Sequence, residues 1–332
     1  MRKNSFLLAF FMLFAVAFAA TAQSEKKYEV YSVGFYNLEN LFDTIHDAGK
    51  NDYEFLPDGT NKWGTLKYTN KQKNMATVLN EMGTDMLPVG MAAVGVSEIE
   101  NARVLEDLVK HEVLAPRGWD FIHIEGPDRR GVDCALLYNP KLFKPINSKL
   151  APYTTVDNDT TYKTRGFLIV NGEMGGESVH IIVNHWPSRY AKSPARERAG
   201  VQVRALKDSI MKANPDAKVI IMGDMNDTPR DSSIKRVLGA KSNARHLQAD
   251  DIFNPFAHCR KGSMVYQYRW YLYDQILLSS DFVTHRGCSA TKGYIFSQKS
   301  LLDKNRAPKP TYRGAEYMGG VSDHLPVYVL LQ

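Results

Sequence analysis

Cysteine is scarce in this sequence: 332 residues carry three, Cys134, Cys259 and Cys288. An odd count excludes a fully paired disulfide framework, and the spacing matches no zinc-binding pattern. Cys134 lies in the apolar run Cys-Ala-Leu-Leu-Tyr and reads as a small buried hydrophobe, while Cys259 and Cys288 could pair in an oxidising compartment. Long apolar runs are as rare. The one from Phe6 to Ala20 is too short to span a bilayer comfortably, follows Arg2-Lys3 and ends at Ala20-Thr21-Ala22. We read residues 1–22 as a secretory signal cleaved after Ala22, with no membrane span left afterwards and an exported, periplasmic or extracellular product. No cysteine follows the run, which argues against a lipoprotein anchor. Strong charge of one sign is missing too. Loss of Arg2 and Lys3 leaves 40 basic against 36 acidic residues, a net charge of +4, which tolerates a polyanionic substrate without demanding one. With no internal repeat and no linker between two compositions, residues 23–332 read as one globular domain.

What the chain has is a set of apolar strands that each stop at a polar residue. The clearest is Val219-Ile-Ile-Met-Gly-Asp-Met-Asn-Asp-Thr-Pro229, a β-branched run bounded by Gly223 and Pro229 and so a buried strand. Residues two apart in an extended segment project to the same side, so Asp224 and Asn226 can enter one cleft together. An anionic oxygen beside a neutral amide suits a hard cation or a phosphate-bound nucleophile.

The same pattern recurs along the chain. A strand over 28–35 runs into Asn37, a loop fills 43–69, and apolar spacing predicts a helix from Asn70 to about Gly83. Val94 onwards is a strand ending at Glu98, followed by a helix through Val104, Leu105 and Leu108. Strands are expected at 119–124 and 132–138, around a turn carrying Arg129 and Arg130, and at 167–170 and 179–183, joined at Asn171-Gly172. The last of these ends at His185. A helix should begin with Ser193 as N-cap and Pro194 in its first turn. Residues 239–270 and 297–320 read as irregular, with the aromatic stretches Tyr266-Gln-Tyr268 and Trp270-Tyr-Leu-Tyr273 assigned to the core. A strand begins at Asp274, and Ser322-Asp323-His324 feeds the final one, 327–331. Each polar strand end alone reads as a cap or surface group. Many meeting at one sheet edge would make a cleft.

Gly223-Asp-Met-Asn226, Ser322-Asp-His324 and Asn184-His185, which follow the expected order along the chain, resemble the motifs of the endonuclease/exonuclease/phosphatase superfamily. The resemblance covers about 28–331 and has the look of a secreted bacterial member. It implies an α/β fold of the deoxyribonuclease-I-like kind: a four-layer sandwich of two mainly antiparallel sheets with helices on the outer faces. It also implies a hydrolase of phosphoester bonds that uses Mg²⁺, with Mn²⁺ as a substitute. By the same resemblance Asn37 and Glu98 bind the metal with Asp323 near it. Asp224 and Asn226 orient nucleophile and phosphate, Asp274 pairs with His324, and His185 is the mid-chain histidine. Arg130 and Arg189 are candidate phosphate contacts, and Asp133 either orients His185 or closes a turn.

These roles answer a physical need. A phosphodiester is anionic and has a poor leaving group, so its hydrolysis requires charge neutralisation and proton transfer near neutral pH. The expected function is a secreted nuclease-type phosphodiesterase acting on DNA or RNA. Two alternatives stand beside it: a lipid- or inositol-directed enzyme of sphingomyelinase type, and an inactive binding protein on the same fold.

Overall fold

The computed structural model describes residues 30–159, 161–284 and 292–332. The signal assigned to 1–22, and Cys288, lie outside them. The strands in chain order are β1 (Tyr31–Leu41), β2 (Ala93–Ile99), β3 (Asp120–His123), β4 (Asp133–Tyr138), β5 (Lys144–Ala151), β6 (Phe167–Met174), β7 (Glu177–His185), β8 (Lys218–Asp224), β9 (Ala240–Lys241), β10 (Ile252–Phe253), β11 (Met264–Tyr266), β12 (Arg269–Tyr271), β13 (Asp274–Ser279), β14 (Gly293–Ile295), β15 (Tyr312–Arg313), β16 (Glu316–Tyr317) and β17 (Val327–Leu331). The long helices are α1 (Thr65–Glu81), α2 (Ala102–Lys110) and α3 (Ser193–Ala213).

Six strands form one sheet in the order β14-β17-β1-β2-β4-β3, and seven form the other, β5-β6-β7-β8-β13-β10-β9. Both are mixed and mainly antiparallel. In each, one long parallel pair sits near the middle, β1 with β2 and β7 with β8. Parallel neighbours need a crossover, and α1 and α3 supply it. Alternation then assigns the layers. Ile220 and Met222 face the core between the sheets with Val33, Phe35, Val183 and Ile276, whereas Val219 and Ile221 face the layer holding Ala199 and Val203 of α3. Val94, Val96 and Leu137 pack outward against Met75, Leu79 and Val104 of α1 and α2. A strand covered on both faces must be apolar throughout, which is why Val219–Met222 shows no polar alternation.

Several local expectations are corrected. The hairpin between β6 and β7 turns at Gly175-Gly176, both at positive φ, because the strands pair through Asn171 and Gly172 to Met174. Ser193 is the first residue of α3 and Lys192 occupies the cap, while α1 starts at Thr65. Strand β5 escaped notice because it is a mostly exposed edge strand with Pro145 at an irregularity in its pairing. Of the aromatic stretches assigned to the core, Leu272 and Tyr273 are buried there, but Tyr266, Tyr268 and Trp270 belong to the exposed hairpin β11–β12, at 57%, 99% and 45% exposure.

Candidate active site

The carboxyl ends of the two parallel pairs lie at one edge of the sandwich. An antiparallel neighbour must begin where they end, so β13 and β17 start at that same edge. Asn37 and Glu98 come from the first parallel pair, and His185 and Asp224 from the second. Asp274 opens β13, directly opposite Asp224 in register, and His324 precedes β17. Open α/β sheets bind ligands at the carboxyl ends of their strands for the same topological reason.

The groups converge. Asn37 Nδ2 donates to Glu98 Oε1 and to Asp224 Oδ2, both at 3.2 Å. His185 Nε2 lies 3.7 Å from the same two carboxylate oxygens. Asp274 Oδ2 holds His324 Nδ1 at 2.7 Å, leaving Nε2 to face Asp224 and Asp323, each at 3.9 Å. Asn226 Nδ2 donates to the Trp186 carbonyl at 3.1 Å, and its backbone N–H donates to Asp224 Oδ1 at 2.9 Å. The backbone is bent to achieve this. Glu98 and Asn226 have φ of 58° and 49°, a left-handed conformation that side-chain-bearing residues seldom adopt, and β2 is irregular in its pairing between Ser97 and Ile99. Strain of this kind concentrates where a side chain must be re-aimed.

The charges are tuned apart. Burial pushes Asp224 up to about 6, an effect His324 offsets and Asp274 reinforces. His185 is held well below the ordinary histidine value, by burial first and then by Arg165 and Arg130, so it is neutral. Burial opposes charge on His324 as well, but Asp274 and Asp323 outweigh it and hold the imidazole well above its usual value. One neutral and one cationic histidine therefore flank one carboxylate.

Possible ligand atoms of Asp224, Asp274 and His324 lie within 4.8 Å of one another, a buried group that could hold a metal ion. Asp274 and His324 already bond each other, however. Glu98 and Asn37 add oxygens at the same place, and buried Asp274 Oδ1 has no hydrogen-bond partner among the described residues. A cluster this rich in carboxylate oxygen fits a hard divalent cation.

Other assignments fare differently. Of the two roles expected for Asp133 the structure has the turn: its carboxylate accepts the Gly126 N–H at 3.0 Å, and it meets His123 Nε2, not His185, at 3.0 Å. Arg130 is half-exposed and 3.7 Å from Asp128. Arg189 pairs with Asp227 at 3.0 Å and lies 5.7 Å over the ring of Tyr273. Sequence reasoning missed Glu39, Lys71 and Arg165. Glu39 stands two residues after Asn37, and its carboxylate accepts the backbone N–H groups of Thr311 and Asp323 at 2.7 and 3.1 Å. Arg165 ties the strand end by donating to the carbonyls of His185 and Trp186, both at 3.1 Å.

A model of the Endonuclease/Exonuclease/phosphatase family matches residues 32–332. No curated protein matches the chain by sequence. Among solved structures, the chain is similar to D. rerio TDP2 complexed with a single-strand DNA product, at 17% identity and TM-score 0.57, covering 91% of this chain and 99% of that one. It is similar to a Bacteroides thetaiotaomicron mannosyl-6-phosphatase at 15% identity and TM-score 0.58, with 91% and 99% covered. ANGEL2, a 2',3'-cyclic phosphatase, aligns at 12% identity and TM-score 0.57, covering 91% and 95%. At these identities the likeness concerns the fold.

Proposed function

Since the chain belongs to the endonuclease/exonuclease/phosphatase family and is a phosphoesterase of that family, we propose that it is a divalent-metal-dependent phosphodiesterase of nuclease type, cleaving short or single-stranded nucleic acid. The observation carrying this is the convergence of His185 and His324 on Asp224, Nε2 to Oδ2 at 3.7 and 3.9 Å, at an oxygen-rich cluster.

Glu98 and Asn37, with Asp323 alongside, are the residues that would hold Mg²⁺ or Mn²⁺, which when bound neutralises phosphoryl charge and stabilises the departing oxygen. The chain's own groups do the rest. Asp224 is mostly ionised at neutral pH yet basic enough to take a proton from the attacking water. Asn226 has a second amide hydrogen for a phosphate oxygen. His324, fixed in tautomer and direction by Asp274, presents Nε2–H to the phosphoryl group, and neutral His185 is available for proton exchange. Arg130, whose charge is felt at His185, would attract an anionic substrate, whereas Arg189 is held between Asp227 and Asp231.

The exposed hairpin favours a second reading. Tyr266, Tyr268 and Trp270 are amphipathic and solvent-facing, as an enzyme working at a lipid surface requires. Its stem reaches the site, because Met264 bridges to His324 and Asp274 follows Tyr271 by three residues.

One panel separates the two. Plasmid, single-stranded DNA, RNA, sugar phosphates, inositol phosphates and phospholipid vesicles are offered with Mg²⁺ or Mn²⁺, at low and high salt, and with excess chelator. We expect chelator-sensitive cleavage of single strands that declines as salt rises. Cleavage of lipid or inositol phosphates with nucleic acids untouched would replace the nuclease reading, and full turnover in chelator would end the metal requirement.

A further inference from the structure

We propose that Lys71 is a positioning residue, which from the core-facing side of α1 fixes both the peptide that aims Glu98 and the segment that carries Asp323. The inference rests on the reading of Glu98 and Asp323 as cation ligands given above. A fully buried lysine is rare and must be paid for by partners. Lys71 has them from three distant segments. Nζ donates to the Glu39 carbonyl at 2.9 Å, to Thr311 Oγ1 at 2.5 Å and to the Val321 carbonyl at 2.9 Å. Its three hydrogens are thereby used, so Lys71 acts on substrate only through other groups.

The route to Glu98 is one peptide bond long. The carbonyl that Lys71 holds belongs to the same planar unit as the Asn40 N–H, and that N–H donates to Glu98 Oε2 at 3.1 Å. In a trans peptide, C=O and N–H point in opposite directions, so anchoring one end sets the other. The anchor matters because Glu39 and Asn40 both have left-handed backbones, φ 47° and 52°, which relax when released. The route to Asp323 is the Glu39 carboxylate. It lies 3.9 Å from Lys71 Nζ and receives the N–H groups of Thr311 and Asp323, at the two ends of the segment that Lys71 also holds through Thr311 and Val321.

The test uses the full chain and three variants: Lys71→Met, the milder Lys71→Gln, and Leu79→Ala, a core truncation on the same helix. Mn²⁺ binding is measured by calorimetry, folding by thermal melts, and turnover with bis(p-nitrophenyl) phosphate. Lys71→Met should weaken Mn²⁺ binding about 10- to 100-fold, the usual scale for a partner that orients a ligand, and lower kcat with little change in KM. Lys71→Gln should fall between, and Leu79→Ala should lower Tm while leaving Mn²⁺ affinity intact. A cooperatively melting Lys71 variant that binds Mn²⁺ within about twofold of wild type overturns the proposal. So does an equal loss in Leu79→Ala, or failure of both Lys71 variants to fold, since Lys71 would then serve the fold alone. If wild type itself binds no Mn²⁺, the metal reading fails and takes this inference with it, an outcome distinct from binding that Lys71 does not affect.

Discussion

The two histidines differ in environment, and their variants should differ in consequence. His324 is braced by Asp274 and cationic, whereas His185 is buried beside Arg165 and neutral. In the proposed mechanism each does work the other cannot, so His185→Ala and His324→Ala should each lower kcat at least about 10²-fold. Near-normal kcat in either variant removes that histidine from the site. Asp224 gives a prediction in stability. Its folded value of about 6 exceeds the unfolded carboxylate value, so its contribution is present below the unfolded value and lost as pH rises through about 6. Asp224→Asn should therefore gain stability over wild type at pH ~7 without metal, by roughly 1–3 kcal/mol, with the gain gone by pH ~4. Denaturant melts at the two pH values check it, and a gain independent of pH would contradict it. At this scale the sequence was informative about side chains whose chemistry is unusual after a strand. It was silent about Lys71 and Arg165, because a buried cation is recognised by its acceptors and those lie far away in the chain. One sign was available: Lys71 shares helical spacing with Met75, Val78 and Met82, so it occupies a core-facing position.

Among elements, β7 and β8 show why the Gly-Asp-x-Asn motif begins with glycine. Gly223 pairs with Asn184, and a Cβ there would lie 2.3 Å from the Asn184 carbonyl oxygen and 2.6 Å from its Cβ. Backbone cannot yield as a side-chain tip can, so Gly223→Ala should part the strands just where His185 and Asp224 emerge. We expect a loss of about 1–3 kcal/mol, measured by denaturant titration, together with reduced activity. Wild-type stability would show that the strands have slack. Elements with a covered face were legible because burial imposes a pattern, and β17 begins and ends where its apolar run does. Edge and excursion elements were not. Strand β5 meets solvent along much of its length, and the β11–β12 hairpin is rich in aromatics that elsewhere signal a core. Composition cannot separate an aromatic that packs from one that protrudes.

For the whole molecule, the layers follow from counting covered faces, and the site follows from where parallel and antiparallel strands share an edge. Export is a proposal at this scale, motivated by Arg2-Lys3 and the apolar run to Ala20. The secreted chain should begin at Gln23, and N-terminal sequencing that finds Met1 retained would refute it.

Strand β1 lies between β2 and β17 in its sheet, so the first strand to emerge from the ribosome acquires one neighbour early and the other only from the final residues synthesised. His324 and Asp323 arrive with that last neighbour, and Ser322 then bonds the Asn37 carbonyl across 285 positions of sequence. A nascent chain holds the ingredients of a phosphoesterase but not the enzyme. On the roles proposed for Asp323 and His324, a chain cut short before Ser322 should fold without a complete site and show no turnover.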